Sequence, residues 1–357
     1  MGCNMSEELE QQNLRRLATI EVIQSISRIE NADAIVLSRI RGWNVVTRLD
    51  EFQVGEKCLY VEVDSFLPAL DSRFEFLAKR GVRIDANDVE GYVLKTAMLR
   101  GVYSQGLALS LTLFPEFIER LVGSNVTEEL SITVWEPRIP EELSGSVVGH
   151  RPSWIPATDE DRIQNVSDIL AHGELNWVAT EKIDGTSTTI YVDGAQNDLE
   201  GVCTRNYDLL EAEGVTLWRL AREMGIHTLI KETYPGERVS VQGETFGEGI
   251  QSNPLKIKGR KFLAFTLRVN GQELPRSLWP KWLLDIAVPT HNLSFPETLE
   301  GALTDVDSLK SMVTPDAYAE GIVWRSVDTS IINRENQSRM RASFKVISNR
   351  YLLKHDR

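Results

Sequence analysis

The sequence predicts an α+β protein with two domains, a small β-barrel followed by a larger domain of antiparallel sheets with flanking helices. A chain of 357 residues is long enough for two ordinary hydrophobic cores. Short alternating segments separated by turn residues occupy the first third of the chain, and this spacing is typical of a small barrel. Beyond residue 156, strand patterns are interrupted by helical patterns such as 215–224.

Composition restricts the possible partners. With 42% hydrophobic and 25% charged residues the chain is typical of a globular protein, and its formal net charge is −13. This charge argues against binding nucleic acid through the global field, so any such contact requires a local basic patch. Residues 325–357 contain eight Lys or Arg against three Asp or Glu, a local charge of +5 (8 − 3). This segment is the best candidate for a surface that faces a polyanion.

Three cysteines, Cys3, Cys58 and Cys203, lie far apart, so neither a disulfide framework nor a zinc site is indicated. We therefore expect a reducing compartment, the cytoplasm or the nucleus. No apolar run is long enough to cross a bilayer. Residues 1–6 match the acylation pattern Met-Gly-x-x-x-Ser, with Cys3 placed for a second lipid. The alternative is a disordered polar leader over 1–16, and we expect membrane contact only if Gly2 is acylated.

The predicted first domain covers residues 17–145. Strand patterns occur at 18–23, 34–38, 43–47, 57–65 and 99–110, and 71–80 is helical or looped. Ser-Gly-Ser at 144–146, together with Pro152 and Pro156, marks a boundary, so we assign 146–165 to a linker. Residues 166–357 form the predicted second domain.

The second domain is organised around Trp177–Ser187, where a strand leads into the turn Lys182-Ile-Asp-Gly and a second strand follows. Residues two apart in a strand share a face, so Lys182 and Asp184 can point into one pocket, and Gly185 permits close approach to a ligand. Lysine attacks phosphorus only as the neutral amine, so its pKa must be lowered by burial or by a cation. Taken alone the motif is a weak signal, and an exposed lysine before an Asp-Gly turn is the alternative.

Further positions support a functional reading. Arg205 follows a strand, where an arginine suits a ribose or phosphate. Glu244 lies at a strand end beside glycines, a position typical of a metal or ribose ligand. The last two predicted strands carry Glu320 and Lys345. Between them and Glu244 we predict a short helix over 305–312, with Leu309 and Met312 facing inward.

These patterns resemble a known family. In the first domain, Ile-x-x-Ala-Asp-x-Ile, Gly-Trp-x-Val-Val and Leu-Arg-Gly-x-x-Ser-Gln-Gly resemble the N-terminal OB-type module of one group of RNA ligases. The segment Thr158–Asn165 resembles the part of those ligases in which an arginine meets the outer phosphates of the nucleotide, which implies that role for Arg162. An ion pair among neighbouring acids is the alternative for Arg162.

The ordered set in the second domain resembles the covalent nucleotidyltransferases, which comprise ATP-dependent ligases and capping guanylyltransferases. Ser187 stands where DNA ligases and capping enzymes usually carry arginine, which favours an RNA ligase. Only twelve residues follow Lys345, so we expect no C-terminal OB domain. The likeness is to the Deinococcus-type ATP-dependent RNA ligases, an OB domain followed by a nucleotidyltransferase (ATP-grasp-like ligase) domain.

The resemblance implies that Lys182 attacks the α-phosphorus of ATP to form a lysyl-adenylate. AMP then passes to an RNA 5′-phosphate, and a 3′-hydroxyl displaces it. Lys345 would stabilise the pentacoordinate phosphorus. The residues implied to hold Mg²⁺ or Mn²⁺, directly or through waters, are Asp184, Glu244 and Glu320. Glu181 is implied to accept a hydrogen bond from the adenine amino group, and Phe265 is implied to stack on adenine. The other residues implied to bind the nucleotide are Ile183, Gly185, Arg205 and Arg162.

The sequence departs from the family pattern at two positions, with Thr266 in place of Asp and Ile347 in place of a second lysine. We therefore expect contact with the phosphates to depend more on Lys345. The expected partners are ATP and RNA with 3′-hydroxyl and 5′-phosphate ends, with nicked duplex RNA as the substrate and the protein as a monomer. The alternatives are a guanylyltransferase or DNA ligase that uses the same lysine, and a non-catalytic RNA-binding protein built on the barrel.

Overall fold

The computed structural model describes residues 16–136, 146–333 and 339–355. The chain divides into two compact units, with the division between residues 139 and 140. The acylation pattern at 1–6 and the Ser-Gly pair at 144–145 lie outside the described residues, and the exact predicted domain boundaries stay a prediction. Among the helices that the structure describes, none is long and apolar enough to span a membrane.

The first unit consists mainly of short strands. They are β1 (Ala18–Val22), β2 (Ser25–Arg28), β3 (Ile35–Ile40), β4 (Trp43–Arg48), β5 (Lys57–Val61), β6 (Ser65–Pro68), β7 (Arg83–Ile84), β8 (Glu90–Val93), β9 (Ala97–Leu99), β10 (Val102–Ser104), β11 (Leu107–Ser110) and β12 (Thr133–Val134). They pair in the orders β1-β5-β11, β2-β3-β4, β12-β6-β8-β7 and β9-β10. These are separate hydrogen-bonded sheets, so no closed barrel is seen in residues 16–136.

Strand β5 forms the centre of this unit because both of its faces are apolar. Leu59 and Val61 pack in one cluster of buried side chains, whereas Cys58 and Tyr60 pack in a second cluster on the other side. Successive side chains of β5 therefore lie on opposite faces, as in a regular strand. Residues 71–80 form a 3₁₀ helix, Ser72–Arg80, whose first turn is capped by the side chain of Asp71.

The second unit contains two larger sheets. Its strands are β13 (Val147–His150), β14 (Trp177–Lys182), β15 (Thr186–Asp193), β16 (Leu199–Cys203), β17 (Tyr207–Leu209), β18 (Arg238–Gly247), β19 (Arg260–Val269), β20 (Gln272–Glu273), β21 (Thr290–His291), β22 (Gly321–Ser326), β23 (Ile331–Asn333), β24 (Arg339–Arg341) and β25 (Ser343–Ile347). Seven strands pair in the order β13-β17-β16-β15-β18-β19-β20, and four in the order β21-β14-β22-β25. Strands β23 and β24 form a separate hairpin.

Five α-helices lie in the described part of this unit. They are α1 (Thr216–Glu223), α2 (Ile226–Thr233), α3 (Lys281–Leu284), α4 (Leu299–Asp307) and α5 (Asn349–His355). The prediction of a core helix at 215–224 is confirmed, since Leu217, Leu220 and Ala221 of α1 pack with β15, β18 and β19 in one buried cluster. This cluster covers one face of the seven-stranded sheet.

The predicted helix over 305–312 was wrong in its position. Helix α4 begins earlier because Thr298 caps it, its Oγ1 accepting from the Gly301 N–H at 3.1 Å. The chain after Asp307 turns instead and forms an antiparallel bridge between Lys310 and Tyr318. Met312 was expected to face inward, but 54% of its surface is exposed.

The four-stranded sheet is supported by aromatic side chains. Phe344 of β25 is fully buried, and its ring centroid lies 5.7 Å from that of Trp177 and 5.9 Å from that of Phe295. The ring centroid of Trp324 in β22 lies 6.5 Å from that of Phe344. Large rings at these spacings contribute both buried area and favourable edge or offset contacts. They fix the positions of β14, β22 and β25, which carry the residues considered next.

We predict that Phe344→Ala lowers the free energy of unfolding by about 3–5 kcal/mol, because it removes a fully buried ring and leaves a cavity. The matched control, Leu278→Ala, truncates a side chain that is 62% exposed and should change this free energy by less than about 0.5 kcal/mol. Urea denaturation of both variants measures the difference. Equal effects of the two substitutions would contradict this assignment of the core.

Candidate active site

The predicted lysine turn joins the two sheets of the second unit. Strand β14 of the four-stranded sheet ends at Lys182, and β15 of the seven-stranded sheet begins at Thr186. Gly185 lies within the turn, and a Cβ added there would be 2.3 Å from the carbonyl oxygen of Thr245. Only glycine permits this close approach of β15 and β18. The register places Glu244 of β18 opposite Ser187, and Gly321 of β22 opposite Lys182.

Lys182 points into a cluster of carboxylates. Its Nζ donates to Oε1 of Glu320 at 2.6 Å, and the two side chains are only 26% and 12% exposed. Burial by itself lowers the pKa of Lys182. The negative charge of Glu320, followed by those of Glu244 and Asp184, outweighs burial, so the pKa is raised above its ordinary value. The amine is thus held as an ammonium, whereas the sequence argument required a lowered pKa. Its loss of a proton needs additional positive charge.

The pKa values of two carboxylates around Lys182 are raised, so their charged forms are disfavoured. Burial, reinforced by the nearby negative groups, raises the pKa of Glu244 to about 8, although Lys182 opposes the shift. Burial also raises the pKa of Glu320. Oε2 of Glu320 is buried and accepts no hydrogen bond from any residue that the structure describes. A buried acceptor without a donor is unfavourable, so this oxygen is suited to receive a cation or a proton.

The three carboxylates only partly fit the predicted metal site. Oxygen ligands suit Mg²⁺ or Mn²⁺, and the orphaned oxygen of Glu320 is consistent with this. Within the described residues, however, no group of three or more His, Cys, Asp or Glu side chains is assembled closely enough to hold a metal. The ammonium of Lys182 provides the positive charge among them. The metal role of Asp184, Glu244 and Glu320 stays a prediction.

Strand register places Lys345 on the same face as Lys182. Residues directly opposite each other share a face, and the register pairs Thr180 with Val323 and Val323 with Lys345. The charge of Lys345 offsets part of the rise in the pKa of Glu320, which is a further sign that the two groups are close. Arg162 forms a parallel β-bridge with Lys345 and is only 5% exposed. The structure therefore brings Arg162 and Lys345 together, and the phosphate-binding roles of both residues stay predictions.

A β-bulge in the pairing of β18 with β19 sets the direction of the Phe265 side chain. Gln242 of β18 faces Thr266, but the next residue, Gly243, faces Ala264, so Phe265 has no partner on β18. Bulges re-aim side chains and are common beside active sites. The ring of Phe265 consequently leaves the main core and packs in a second apolar cluster that contains Ile183. This brings together two of the predicted nucleotide-binding residues.

Arg325 connects the four-stranded sheet to the bulge. It lies opposite Val178 of β14, on the face that carries Lys182. Its Nη1 donates to the carbonyl of Phe265 at 2.5 Å, and its guanidinium carbon lies 5.4 Å from the centroid of that ring. Sequence analysis considered Arg325 only as part of the basic C-terminal segment. Its contact with Phe265 spans sixty residues of chain, and no local pattern indicates it.

Glu181 points away from Lys182. Neighbouring residues in a strand face opposite sides, and Glu181 lies opposite Ile322, which belongs to the aromatic core. Its side chain is 2% exposed and accepts from the hydroxyl of Ser311 and, at 2.7 Å, from the Met312 N–H. Nε2 of His291 lies 3.1 Å from its Oε2. The side chain thus anchors the 311–314 turn, and the strand alternation of the sequence was the signal for this.

Arg205 lies on the surface in the turn between β16 and β17. Its guanidinium forms an ion pair with Asp159 of the Thr158–Asn165 segment, and both side chains are about half exposed, 46% and 55%. This ion pair therefore does not involve the carboxylates around Lys182. Its role with a ribose or phosphate stays a prediction.

Tyr351 is a residue of the site that no sequence motif indicates. This residue of α5 is 5% exposed, and its hydroxyl donates to Oδ2 of Asp184 at 2.8 Å. Burial raises the pKa of the Tyr351 hydroxyl, so the group remains a neutral donor. Helix α5 is itself held by Asp307, whose Oδ1 accepts from the Ser348 hydroxyl at 2.8 Å and the Arg350 N–H at 3.2 Å. The C-terminal helix therefore sets the position of Asp184.

Comparison with known proteins identifies the class. A family model of an OB-fold domain matches residues 17–111, and a family model of RNA ligase matches residues 175–347. Together these matches define a ligase with an N-terminal OB-fold domain, which confirms the predicted fold class. No curated protein matches the chain.

Solved structures of a Naegleria gruberi RNA ligase extend the match to nearly the whole chain. A lysine-to-methionine mutant with AMP and Mn is 34% identical, with a TM-score of 0.83, and the match covers 96% of this chain and 99% of that chain. A lysine-to-alanine mutant with ATP and Mn is 33% identical, with a TM-score of 0.82 and 95% and 99% coverage. A structure with PPi is 34% identical, with a TM-score of 0.82 and 96% and 100% coverage. The chain belongs to the RNA ligase family.

We predict that Glu244→Gln becomes more stable relative to wild type as the pH rises. The pKa of Glu244 is about 8 in the folded protein against an ordinary value of 4.5. The folded state of the wild type therefore binds this proton more tightly than the unfolded state does. The stability that results is fully present below about pH 4.5 and is lost as the pH rises through about 8. Glutamine does not titrate. Melting temperatures at about pH 5, 7 and 9 measure the difference.

The matched control for this experiment is Glu248→Gln, which removes an exposed carboxylate four residues further along the chain. Its melting temperature relative to wild type should stay constant over the same pH range. A constant difference for Glu244→Gln as well would show that Glu244 is not a buried carboxyl with a raised pKa.

Proposed function

We propose that this protein is an ATP-dependent RNA ligase that joins 3′-hydroxyl and 5′-phosphate ends through a covalent Lys182–AMP intermediate. The observation that carries the proposal is the position of Lys182, which meets Asp184, Glu244 and Glu320 at the junction of two sheets. Structures of the similar Naegleria ligase with AMP or ATP and Mn support the choice of nucleotide and metal.

In the first step Nζ of Lys182 attacks the α-phosphorus of ATP. The ammonium of Lys182 first gives up one proton, the N–P bond forms as the bond from that phosphorus to the pyrophosphate oxygen breaks, and the nitrogen then loses a second proton. The nearest acceptor is Oε1 of Glu320 at 2.6 Å. Because burial raises the pKa of Glu320, this carboxylate is a better base than an exposed one. AMP then passes from Lys182 to the RNA 5′-phosphate, and attack by the 3′-hydroxyl seals the strand and releases AMP.

A bound Mg²⁺ or Mn²⁺ supplies positive charge that neutralises the phosphates and favours the neutral amine of Lys182. Asp184, Glu244 and Glu320 would hold it, directly or through waters. The Tyr351 hydroxyl bonds to Oδ2 of Asp184, so Oδ1 is the oxygen that we assign to the metal. The buried Oε2 of Glu320 is a second available oxygen.

The nucleotide would lie on the face of β14 that carries Lys182. Ile183 and Phe265 share an apolar cluster suited to a purine, and Phe265 would stack on it. Gly185 permits close approach, and Lys345 and Arg162 offer positive charge for the phosphates. Since the side chain of Glu181 points to the opposite face, acceptance from the adenine amino group would require its main-chain carbonyl. Arg205 would contact the ribose or a phosphate.

For the substrate we propose a nick in duplex RNA, supported by likeness to the family. We further propose that the ligase acts as a monomer in a reducing compartment, the cytoplasm or nucleus. Cys58 and Cys203 are both buried and free, which is consistent with reducing conditions. A sealing assay on nicked duplexes with RNA or DNA on each side of the break tests the substrate. Sealing of DNA alone would contradict it.

We predict that Lys182→Ala abolishes both the covalent uptake of labelled AMP from ATP and the sealing of a 5′-phosphate. The substitution removes the attacking amine, and the amine of Lys345, which is also close to Glu320, is proposed to stabilise the phosphorus and not to attack it. The measurement is gel detection of the labelled protein after incubation with α-labelled ATP or, in parallel, GTP. The control Lys281→Ala removes a lysine whose side chain is 88% exposed, and it should retain full labelling.

Labelling of the Lys182→Ala variant would show that another residue is the nucleophile. Labelling of wild type by GTP instead of ATP would identify a guanylyltransferase. Peptide mapping of the labelled wild-type protein locates the adduct directly and distinguishes loss of the nucleophile from loss of the fold.

We predict that Tyr351→Phe lowers the rate of lysine labelling by about 10-fold or more, because a hydrogen bond to a charged group contributes about 1.5–3 kcal/mol. The ring and its packing against His355, 4.4 Å away, are preserved. A structural role alone would lower the melting temperature without altering the metal dependence of labelling. A positioning role for Asp184 raises the Mn²⁺ concentration that gives half-maximal labelling, and an unchanged titration would contradict it.

A further inference from the structure

Two cations contact a single tyrosine beside the carboxylate cluster. Nζ of Lys310 lies 3.7 Å from the centroid of the Tyr318 ring, and the guanidinium carbon of Arg350 lies 4.1 Å from the same centroid. Both distances are within the range of cation–π contacts. Lys310 and Tyr318 face each other across the bridge that closes the turn after α4, whereas Arg350 comes from α5. Two separate elements are thus brought together on one ring.

Among the residues that the structure describes, no carboxylate forms an ion pair with Lys310 or Arg350. Both side chains belong to exposed residues. Nζ of Lys310 reaches only the carbonyl of Asp316, at 3.5 Å. Asp307 accepts from the main-chain N–H of Arg350, whereas the guanidinium of Arg350 contacts the Tyr318 ring. Two like charges held against one ring repel each other, and a bound anion would relieve that repulsion.

The chain segment that carries Arg350 is rich in basic residues. Residues 339–355 contain five Lys or Arg and no Asp or Glu, in a protein whose formal net charge is −13. A patch of this kind raises the local concentration of anions even though the protein as a whole repels them. Arg350 belongs to this segment, in which Arg341 is already paired with Glu273.

Lys310, Tyr318 and Arg350, here called the platform, belong to chain segments that also carry residues of the lysine site. Tyr318 precedes Glu320 by two residues, and Arg350 precedes Tyr351, whose hydroxyl bonds to Asp184. An anion on this platform would consequently be close to the rim of the lysine site. Exposed side chains suit a long polyanion that runs over the surface, whereas the base of a nucleotide requires the buried apolar cluster around Ile183 and Phe265.

We propose that Lys310, Tyr318 and Arg350 form a binding platform for a backbone phosphate of the RNA strand next to the break. This role rests on the proposed ligase function. The ammonium of Lys310 is a point charge, and the guanidinium of Arg350 presents a planar pair of donors to phosphate oxygens. The ring of Tyr318 holds both cations in place before RNA arrives, which reduces the entropy lost on binding.

The test measures RNA binding and lysine labelling separately, with the full-length protein. The dissociation constant for a fluorescent nicked RNA duplex is measured over a series of salt concentrations, for wild type and for the double variant Lys310→Ala/Arg350→Ala. Loss of two phosphate contacts should weaken binding about 10-fold or more and reduce the slope of log K against log salt by about 1.5–2. Labelling by ATP in the absence of RNA should remain at the wild-type level.

Two further variants distinguish the platform from general loss of charge. Lys281→Ala removes an exposed lysine paired with Asp285 at 3.0 Å, and should change neither affinity nor slope. Tyr318→Phe keeps the ring and should bind RNA as wild type does, whereas Tyr318→Leu removes the ring and should weaken binding. Thermal melting confirms that each variant is folded.

Unchanged RNA affinity and salt slope in the double variant would overturn the proposal. An increase in the ATP concentration needed for labelling without RNA would overturn it as well, because the platform would then bind the nucleotide. If wild type binds RNA but takes up no label, the proposed ligase function fails, while the binding comparison still decides the role of the platform.

Discussion

The hydrogen bond between Lys182 and Glu320 is the interaction on which the site depends. It places one ammonium among three acidic side chains in a partly buried space, where charge is poorly screened by water. Burial and mutual repulsion raise the pKa of Glu244, and the same negative charges keep Lys182 protonated. The cluster is therefore deficient in positive charge. A cation that enters it would relieve the carboxylates and release the amine together.

The two-sheet architecture makes this cluster possible. Alternation along β14 sends Lys182 to one face and Glu181 to the other, so adjacent residues serve different purposes. Lys182 meets the carboxylates, while Glu181 anchors the 311–314 turn within the core. The bulge at Phe265 similarly interrupts the alternation of β19 and directs one ring out of the main core toward Ile183. Local strand geometry thus separates the residues that hold the fold from those that surround the reacting lysine.

The elements that support the site also shape its surroundings. Helix α5 supplies Tyr351 to Asp184 and, one residue earlier, Arg350 to the surface. The turn after α4 is fixed from within by Glu181, and it presents Lys310 and Tyr318 on the outside. Helix α5 and this turn consequently contact residues of the lysine strand and turn on one side and carry the proposed phosphate platform on the other. A substrate phosphate on the platform would be held at a fixed position relative to Lys182.

The sequence by itself determined the two-part α+β organisation, the strand-turn-strand around Lys182 and the order of the acidic and basic positions that follow it. These features depend on local periodicity and on the special backbone freedom of Gly185, which a linear pattern records. Only the tertiary structure decided the contacts of Tyr351 and Arg325, the start of α4, and whether the net pKa of Lys182 rises or falls. The physical reason is that each of these depends on groups distant in sequence, whose distances and burial are set by how the two sheets and α5 pack.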